Sequence, residues 1–374
     1  MKNITSKERN KYGLLAGITG IIINLSLGAI KLIAGILTNS ISIITDSVNN
    51  ITDTISSVIT LIGFKLSNKK PDQKHPYGYA RYEYISALLV AIFMLLTGMI
   101  FAKESILKII NPKALTITNI TFLILIIAII GKIALLLIYK NYYKKTESKT
   151  LKTNIIDTRN DILTTTAILI SMITMKITNI NIDGFLGLLV SLFIIISSIK
   201  TLKEVLEPII GTIPNEKQIT KIKNKLLSYD YVQGIHDLVI HNYGVKNDFI
   251  TVHIEIDSKI DTIKAHDLID NIENDFKKES INLTIHMDPV IIGDPKIDKI
   301  KNKIEKQIEK LGKDLSIHDI RVIKGKNTTK ILFDCVIPYE NKITKEEIKK
   351  YLETKINSKN TKYEFIIEID RPFC

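Results

Sequence analysis

Long runs of isoleucine and leucine fill the first 210 residues of the chain, interrupted by short polar segments. Each run is close to the ~20 apolar residues that a helix needs to cross the hydrocarbon core of a bilayer. Residues 1–212 are therefore predicted to form an α-helical membrane domain. Its six transmembrane helices are predicted over residues 12–37, 40–64, 82–109, 115–139, 153–176 and 182–206.

Two pairs of polar residues stand inside the second and fifth spans: Asn49 with Asp53, and Asp157 with Asp161. The members of each pair are four residues apart, so both lie on one face of a helix. A carboxylate at bilayer depth costs roughly 2.5–3.5 kcal/mol even on the insertion scales that give the lowest values. We therefore expect the three aspartates to be compensated by a bound cation, or by protons when the cation has left.

Other polar residues near these spans are given structural roles. Asp46, Asn50 and Asn160 are expected to bond backbone or hydroxyl groups, and Lys31 to form an ion pair or to extend toward the interface. The spans contain no histidine, which argues against an intramembrane metalloenzyme with a His-Glu-x-x-His motif. The chain is therefore not expected to be an enzyme.

Lysine and arginine are concentrated before the first span, between the second and third spans, and between the fourth and fifth. By the positive-inside rule, these segments and both termini are predicted to be cytoplasmic, in a multi-pass protein of the cell membrane. The same distribution explains the net charge of +12. No zinc-finger spacing or aromatic-interleaved basic stripe indicates a nucleic-acid partner.

The second part of the chain is polar, and helix and strand patterns follow each other in the order αββαβ. This order occurs over 213–292 and again over 293–374. Ile-His-Asp at 235–237 recurs 82 positions later, and Ile-His-Met-Asp at 285–288 recurs with the same offset as Ile-Glu-Ile-Asp. A chance likeness would not require one shared offset, so we infer a tandem duplication of a small α+β unit.

Five of the seven histidines lie in the first copy: His236, His241, His253, His266 and His286. Asp288 follows His286 by two positions, on the same face of a strand. Several histidines with an aspartate in one small domain indicate a metal site.

The second copy keeps only part of this set. His318 and Asp370 stand 82 positions after His236 and Asp288. At the same offset, His253, His266 and His286 are replaced by Cys335, Ile348 and Glu368. The second copy is therefore expected to have lost most of its metal-binding capacity and to serve packing or dimerisation.

Four motifs together resemble the cation diffusion facilitator family. They are SISIITDSVNNITDTISS, PDQKHPYGYARYEY, IIDTRNDILTT, and His-Asp-Leu followed by His-Met-Asp-Pro, and they cover residues 12–291 in the family's order. The resemblance implies a homodimer of six-helix domains that exports divalent transition metals from the cytosol in exchange for protons. It also implies a cytosolic ferredoxin-like αββαβ domain, here followed by a second copy.

The resemblance implies three metal sites. The transport site falls on Asn49, Asp53, Asp157 and Asp161. A loop site falls on Asp72 and His75, although Tyr79 stands where the family has a further histidine. The cytosolic site falls on His236, His253, His266, His286 and Asp288.

The implied transport site offers one amide oxygen and three carboxylates. Oxygen ligands suit Mg²⁺, Ca²⁺ and Mn²⁺, whereas imidazole and thiolate favour zinc, copper and nickel. Within the family's range of metals, Mn²⁺ is the expected cargo, with Zn²⁺ or Fe²⁺ as the alternative because zinc also binds carboxylates. A membrane-bound metal sensor is the rival class, since the histidine-rich copy alone would suit one.

Overall fold

The computed structural model describes residues 6–37, 41–111, 119–178, 180–245, 247–279, 281–324, 328–357 and 362–372. The chain divides into two compact units near Thr212 and Ile213. The described elements of the first unit are all helices, whereas the second unit contains two three-stranded sheets with helices.

In its described residues, the first unit has six helices. They are α1 (Ser6–Leu37), α2 (Ile41–Ser67), α3 (Tyr82–Ile110), α4 (Asn119–Thr146), α5 (Lys149–Thr178) and α6 (Asp183–Ile210). Five of them contain a stretch long and apolar enough to cross a membrane, which confirms five of the six predicted spans. Helix α2 is continuous over 27 residues, but several of its N-terminal side chains lie outside the described part, and its crossing stays a prediction.

The outer surface of this bundle is apolar. Large side chains such as Ile130, Leu189 and Ile196 are each more than half exposed. An extended apolar surface of this kind is typical of a protein that contacts lipid.

Close helix packing in the first unit depends on glycine. A Cβ atom at Gly17 of α1 would lie 2.9 Å from the Cβ of Leu61 in α2. At Gly184 of α6, a Cβ atom would lie 2.7 Å from Cγ1 of Ile109 in α3. Small residues at helix contacts are typical of membrane bundles, because lipid tails are as apolar as leucine and van der Waals packing must hold the helices together.

A buried ion pair joins three helix ends of the first unit. Nη2 of Arg9 in α1 donates to both carboxylate oxygens of Glu83 in α3, at 2.8 and 2.7 Å. Nε of Arg9 donates to the carbonyl oxygen of Thr146 at the end of α4, at 2.8 Å. Glu83 is 1% exposed, so the arginine supplies the charge that its carboxylate needs away from water.

Glu83→Gln is therefore expected to destabilise the membrane unit by about 3–5 kcal/mol, because it leaves the guanidinium of Arg9 without its buried partner. Thermal unfolding of the purified protein in detergent measures the effect. Glu104→Gln, at an exposed position of the same helix, is the matched control and should unfold at the wild-type temperature. Equal melting temperatures for the two variants would contradict the structural role of the pair.

The second unit contains the αββαβ order twice, as predicted. The first copy comprises α7 (Glu216–Leu227), β1 (Val232–Asn242), β2 (Asp248–Asp257), α8 (Thr262–Lys278) and β3 (Asn282–Val290). The second comprises α9 (Pro295–Leu311), β4 (Ser316–Lys324), β5 (Thr329–Val336), α10 (Lys345–Ile356) and β6 (Tyr363–Asp370). In each sheet the strand order follows the sequence; the first pair is antiparallel and the second is parallel.

In the described part of the second unit, each sheet has one face packed on helices and one face without them. In β2, Val252 and Ile254 lie in a core with Leu226 of α7 and Ile272 of α8. His253 stands between these two strand residues and therefore points to the opposite, helix-free face. The predicted metal ligands of the strands share that face.

Both copies carry the same strand irregularity. Strand β1 shifts its register between His236 and Val239, and β4 does so between His318 and Arg321. Within these bulges, Asp237 and Asp319 have φ of 49° and 50°, a region that residues with a side chain rarely adopt. β-Bulges are usually kept within a protein family, so the recurrence of this bulge at the 82-residue offset supports the duplication.

The register of β5 corrects one part of the predicted repeat. Phe333 takes the core position of Val252, one position short of the 82-residue offset. Asp334 is therefore the counterpart of His253. Cys335, which was expected there, is fully buried in the core.

A second predicted equivalence is also wrong. Ile348 lies fully buried in the core of the second copy, whereas the side chain of His266 is 75% exposed. The two residues therefore occupy different helix faces. The two sequence motifs recur at the same offset, but the strand and the helix that lie between them are shifted relative to that offset in the second copy.

Candidate metal sites

A polar cavity lies in the first unit between α2, α3, α5 and α6. It is lined by carboxylate, amide, hydroxyl and apolar groups from Asn50, Asp53, Met94, Thr97, Phe101, Asp157, Asn160, Asp161, Thr164, Thr165 and Ile194. The structure thus brings together Asp53, Asp157 and Asp161, three of the four residues predicted for the transport site. Asn49 lies one turn before Asp53 in α2, but its side chain lies outside the described part of the structure.

A buried lysine lies between two of these carboxylates. Lys132 of α4 donates hydrogen bonds to Oδ2 of Asp53 and Oδ2 of Asp161, each at 2.7 Å, and its side chain is 4% exposed. An ammonium group inside a membrane helix is itself costly, so the opposite charges offset each other. Sequence reasoning missed Lys132, although a lone lysine in the middle of an Ile/Leu-rich span is a recognisable signal.

Two amides that were expected to have structural roles line the cavity instead. Asn50 and Asn160 are 4% and 3% exposed. Nδ2 of Asn50 and both amide atoms of Asn160 lack a hydrogen-bond partner among the described residues. A buried polar group without a partner costs about 1–3 kcal/mol, so an ion or its water would stabilise these amides. The side chain of Asp46 lies outside the described residues.

Hydrogen bonds from neighbouring helices support the cavity. Asn154 of α5 donates to Oγ1 of Thr60 in α2 at 2.7 Å, and both side chains are buried. Asn24 of α1 donates to the carbonyl oxygen of Asp53 at 3.4 Å. These contacts hold α2 against α5 and α1 at the level of the acidic residues.

The loop between α2 and α3 contains Asp72, His75 and Tyr79. Oδ1 of Asp72 accepts hydrogen bonds from the backbone N–H groups of Lys74 and His75, at 3.1 and 3.0 Å. Oδ2 accepts from the Tyr79 hydroxyl at 2.7 Å and from the Lys69 ammonium at 2.9 Å. The bond from Tyr79, and then that from Lys69, holds the pKa of Asp72 well below its usual range. Both carboxylate oxygens are thus engaged within the loop.

The helix-free face of the first sheet carries imidazoles around one carboxylate. Nδ1 of His253 lies 2.9 Å and Nε2 of His236 lies 3.2 Å from Oδ2 of Asp288. Nε2 of His286 lies 3.4 Å from Oδ1 of the same residue. The contact of His236 does not have hydrogen-bond geometry, so its Nε2 is without a partner on a side chain that is 8% exposed. His253, His286 and Asp288 offer ligand atoms within 4.8 Å of one another, and such an imidazole and carboxylate set suits a divalent transition metal.

The structure changes the membership of this cluster. His266 lies on α8, where its Nδ1 is 3.3 Å from Asp270, and it does not join the other histidines. Asp237 does join them: its carboxylate and the rings of His236 and His253 offer potential ligand atoms within 4.8 Å of one another. Its recurrence as Asp319 in the repeated Ile-His-Asp was the available sequence signal.

Two family models match this chain, one in each of its two units. The model of the cation efflux transmembrane domain matches residues 17–210. The model of the cation efflux protein cytoplasmic domain matches residues 214–290. Residues 291–374 lie beyond both matches.

Individual relatives have low sequence identity to this chain, but the alignments cover most of the length of each relative. An uncharacterized transporter of Methanocaldococcus jannaschii is 28% identical over 252 residues, which are 67% of this chain and 88% of the relative. The cation-efflux pump FieF of Klebsiella pneumoniae is 22% identical over 283 residues, or 74% and 94% of the two chains. FieF of Salmonella arizonae is 23% identical over 295 residues, or 78% and 98%.

Together these features define a membrane transporter of cations rather than an enzyme. The chain belongs to the cation efflux family. It is accordingly a multi-pass membrane protein whose C-terminal unit is cytoplasmic, and the type of its cytoplasmic domain implies a homodimer.

Replacing Lys132 tests the charge balance of the cavity. Lys132→Met leaves two part-buried carboxylates without their ammonium, so it is expected to destabilise the metal-free protein by about 3–5 kcal/mol. Mn²⁺ should raise the melting temperature of the variant more than that of the wild type, because the ion restores the missing positive charge.

Thermal unfolding in detergent with and without Mn²⁺ measures both effects. Lys103→Met, an exposed lysine of α3, is the control. A variant at Lys132 that melts at the wild-type temperature without metal would refute the charge-balance argument.

Proposed function

We propose that this protein exports Mn²⁺ from the cytosol in exchange for protons, by exposing the acidic cavity alternately to the two sides of the membrane. Asp53, Asp157 and Asp161 bind the ion, and Asn49 supplies a fourth oxygen. The observation that carries the proposal is the meeting of three carboxylates in one cavity of a cation efflux protein.

Oxygen donors favour manganese within the range of transition metals. Among the described lining residues there is no histidine or cysteine, and the thioether of Met94 is the softest group. Zinc or iron(II) is the second candidate. Affinity rises from Mn²⁺ toward the later metals of the series, and the imidazole-rich cluster of the cytoplasmic unit suits zinc.

The charges of the cavity indicate how metal and protons exchange. With all groups ionised, the carboxylates of Asp53, Asp157 and Asp161 and the ammonium of Lys132 carry a net charge of −2. One divalent ion or two protons bring this charge to zero. Because a net charge is costly at bilayer depth, exchange of one metal for two protons keeps the cavity neutral at both ends of the cycle.

In this cycle, the ammonium of Lys132 competes with the metal ion for carboxylate oxygens. Its Nζ bonds oxygens of Asp53 and Asp161, which a metal ion would also use. Binding on the cytosolic side therefore separates the ammonium from these oxygens, while the tethered group stays in the cavity, and expels two protons. On the opposite side, returning protons and the ammonium release the ion. A ligand can drive such a change only through different affinities for the two states.

The other predicted sites have separate roles in the proposal. Metal at His236, His253, His286 and Asp288 regulates the cytoplasmic unit of the homodimer. We assign no ion to Asp72 and His75, because Tyr79 and Lys69 already occupy the carboxylate of Asp72.

Asp157→Asn is expected to reduce metal-dependent proton flux to the level of empty vesicles, because it removes a ligand and a proton carrier while keeping the side-chain volume. Mn²⁺ uptake and internal pH are followed together in proteoliposomes. Glu104→Gln, outside the cavity, should transport as the wild type does. Intact coupled flux in Asp157→Asn would overturn the assigned site, and absence of flux in the wild type would favour the sensor.

Asn49→His is expected to shift transport toward zinc, because it replaces an amide oxygen with an imidazole. Competition between Mn²⁺ and Zn²⁺ for uptake into the same vesicles gives the ratio of the two ions. An unchanged ratio would show that position 49 does not contribute to selectivity. Asn111→His, placed at the end of α3 away from the cavity, is the matched control.

A further inference from the structure

Within the cytoplasmic unit of one chain, the two αββαβ copies meet through histidines on their helix-free faces. The ring of His318 in β4 stacks on that of His236 in β1, with centroids 4.2 Å apart. Nε2 of His318 lies 3.3 Å from Oδ2 of Asp370 in β6 and 3.8 Å from Oδ1 of Asp237 in β1. One potential ligand atom from each of His318, Asp370 and Asp237 lies within 4.8 Å of the others.

We propose that His318, Asp370 and Asp237 form a second divalent-metal site, shared between the two αββαβ copies. His318 and Asp370 lie beyond residue 290, where the cytoplasmic-domain match ends, so they are additional to the cluster around Asp288. One imidazole with two carboxylates suits a first-row divalent ion such as Mn²⁺, Fe²⁺ or Zn²⁺.

Three imidazole nitrogens at this junction have no hydrogen-bond partner among the described residues. Both ring nitrogens of His318 and Nε2 of His236 lack a partner among the described residues. The two side chains are 12% and 8% exposed. Buried polar groups are normally satisfied by protein, water or an ion, and an ion at the junction would satisfy His318 directly.

The carboxylates of the junction also lack basic partners. In the described part of the chain, neither Asp237 nor Asp370 lies within ion-pair distance of a lysine or arginine. The nearby Arg321 is directed instead to Asp319, and it lies 4.0 Å from Asp288. Among the described residues, no lysine or arginine therefore pairs with the carboxylates of Asp237 and Asp370 beside His318.

A further carboxylate adds to this charge. Oδ2 of Asp334 lies 4.0 Å from Nδ1 of His318. A cation bound among these groups would offset their negative charge.

The shared site gives the second copy a role beyond packing. Asp237 belongs both to this group and to the group with His236 and His253, so the two metal clusters meet at one carboxylate. An ion bound by Asp237 and Asp370 links the first copy to the second. The second copy is then held by the metal ion against the histidines around Asp288.

Counting bound ions tests the proposal. The full-length protein in detergent is stripped with a chelator, dialysed to equilibrium against Mn²⁺ or, in parallel, Zn²⁺, and analysed for metal. His318→Ala and Asp370→Asn are each expected to bind one ion per chain fewer than the wild type. His286→Ala loses an ion from the neighbouring cluster, and the double variant of His286→Ala with Asp370→Asn loses both.

The controls separate loss of the site from loss of the fold. His241→Ala removes an exposed histidine of β1 and should bind the wild-type number of ions. Asp370→Asn keeps the side-chain volume. If His318→Ala does not fold, His318→Gln replaces it. Each variant without metal should unfold cooperatively at the wild-type temperature. If the folded variants bind as many ions as the wild type, the junction is a packing contact and the proposal is wrong.

Discussion

The ammonium of Lys132, held between the carboxylates of Asp53 and Asp161, is the interaction on which the membrane unit depends. Each of these charges alone would be expensive at bilayer depth. The lysine comes from α4 and the acids come from α2 and α5, so neutralising the charge also joins three helices. Burial of the ionic groups and assembly of the bundle are thus one process.

In the proposed function, this arrangement would let the site be stable without metal and still bind a divalent ion. The oxygens that stabilise Lys132 are those that a divalent ion needs, and the unpartnered amides of Asn50 and Asn160 lie in the same cavity. Glycine contacts such as Gly17 against Leu61 keep the surrounding helices close. The bundle is therefore tightly packed around a small region whose polar interactions are exchangeable.

The cytoplasmic unit uses charge differently. Its cores are apolar and nearly equivalent in the two copies, whereas the functional groups lie on the opposite faces of the sheets. The second copy places a further polar face, with His318 and Asp370, against that of the first copy. The bulge at Asp237 places its carboxylate 3.8 Å from Nε2 of His318 at this junction, whereas the carboxylate at the bulge of Asp319 pairs with Arg321. The second copy has fewer histidines than the first, but its polar face still contributes His318 and Asp370 to the proposed shared site.

Local periodicity was enough to predict the helices, both αββαβ copies and the polar pairs, because apolar spacing along the chain reports which face each residue occupies. The partners of those faces depended on contacts between residues far apart in sequence. Lys132 meets Asp53 across 79 positions, and His318 meets His236 only when two sheets pack. The one-residue difference in β5 and the separation of His266 from its cluster likewise required the register of the folded strands. The sequence by itself determined the elements and their acidic and imidazole chemistry, whereas only the tertiary structure decided which charges meet, since side-chain distances follow from packing.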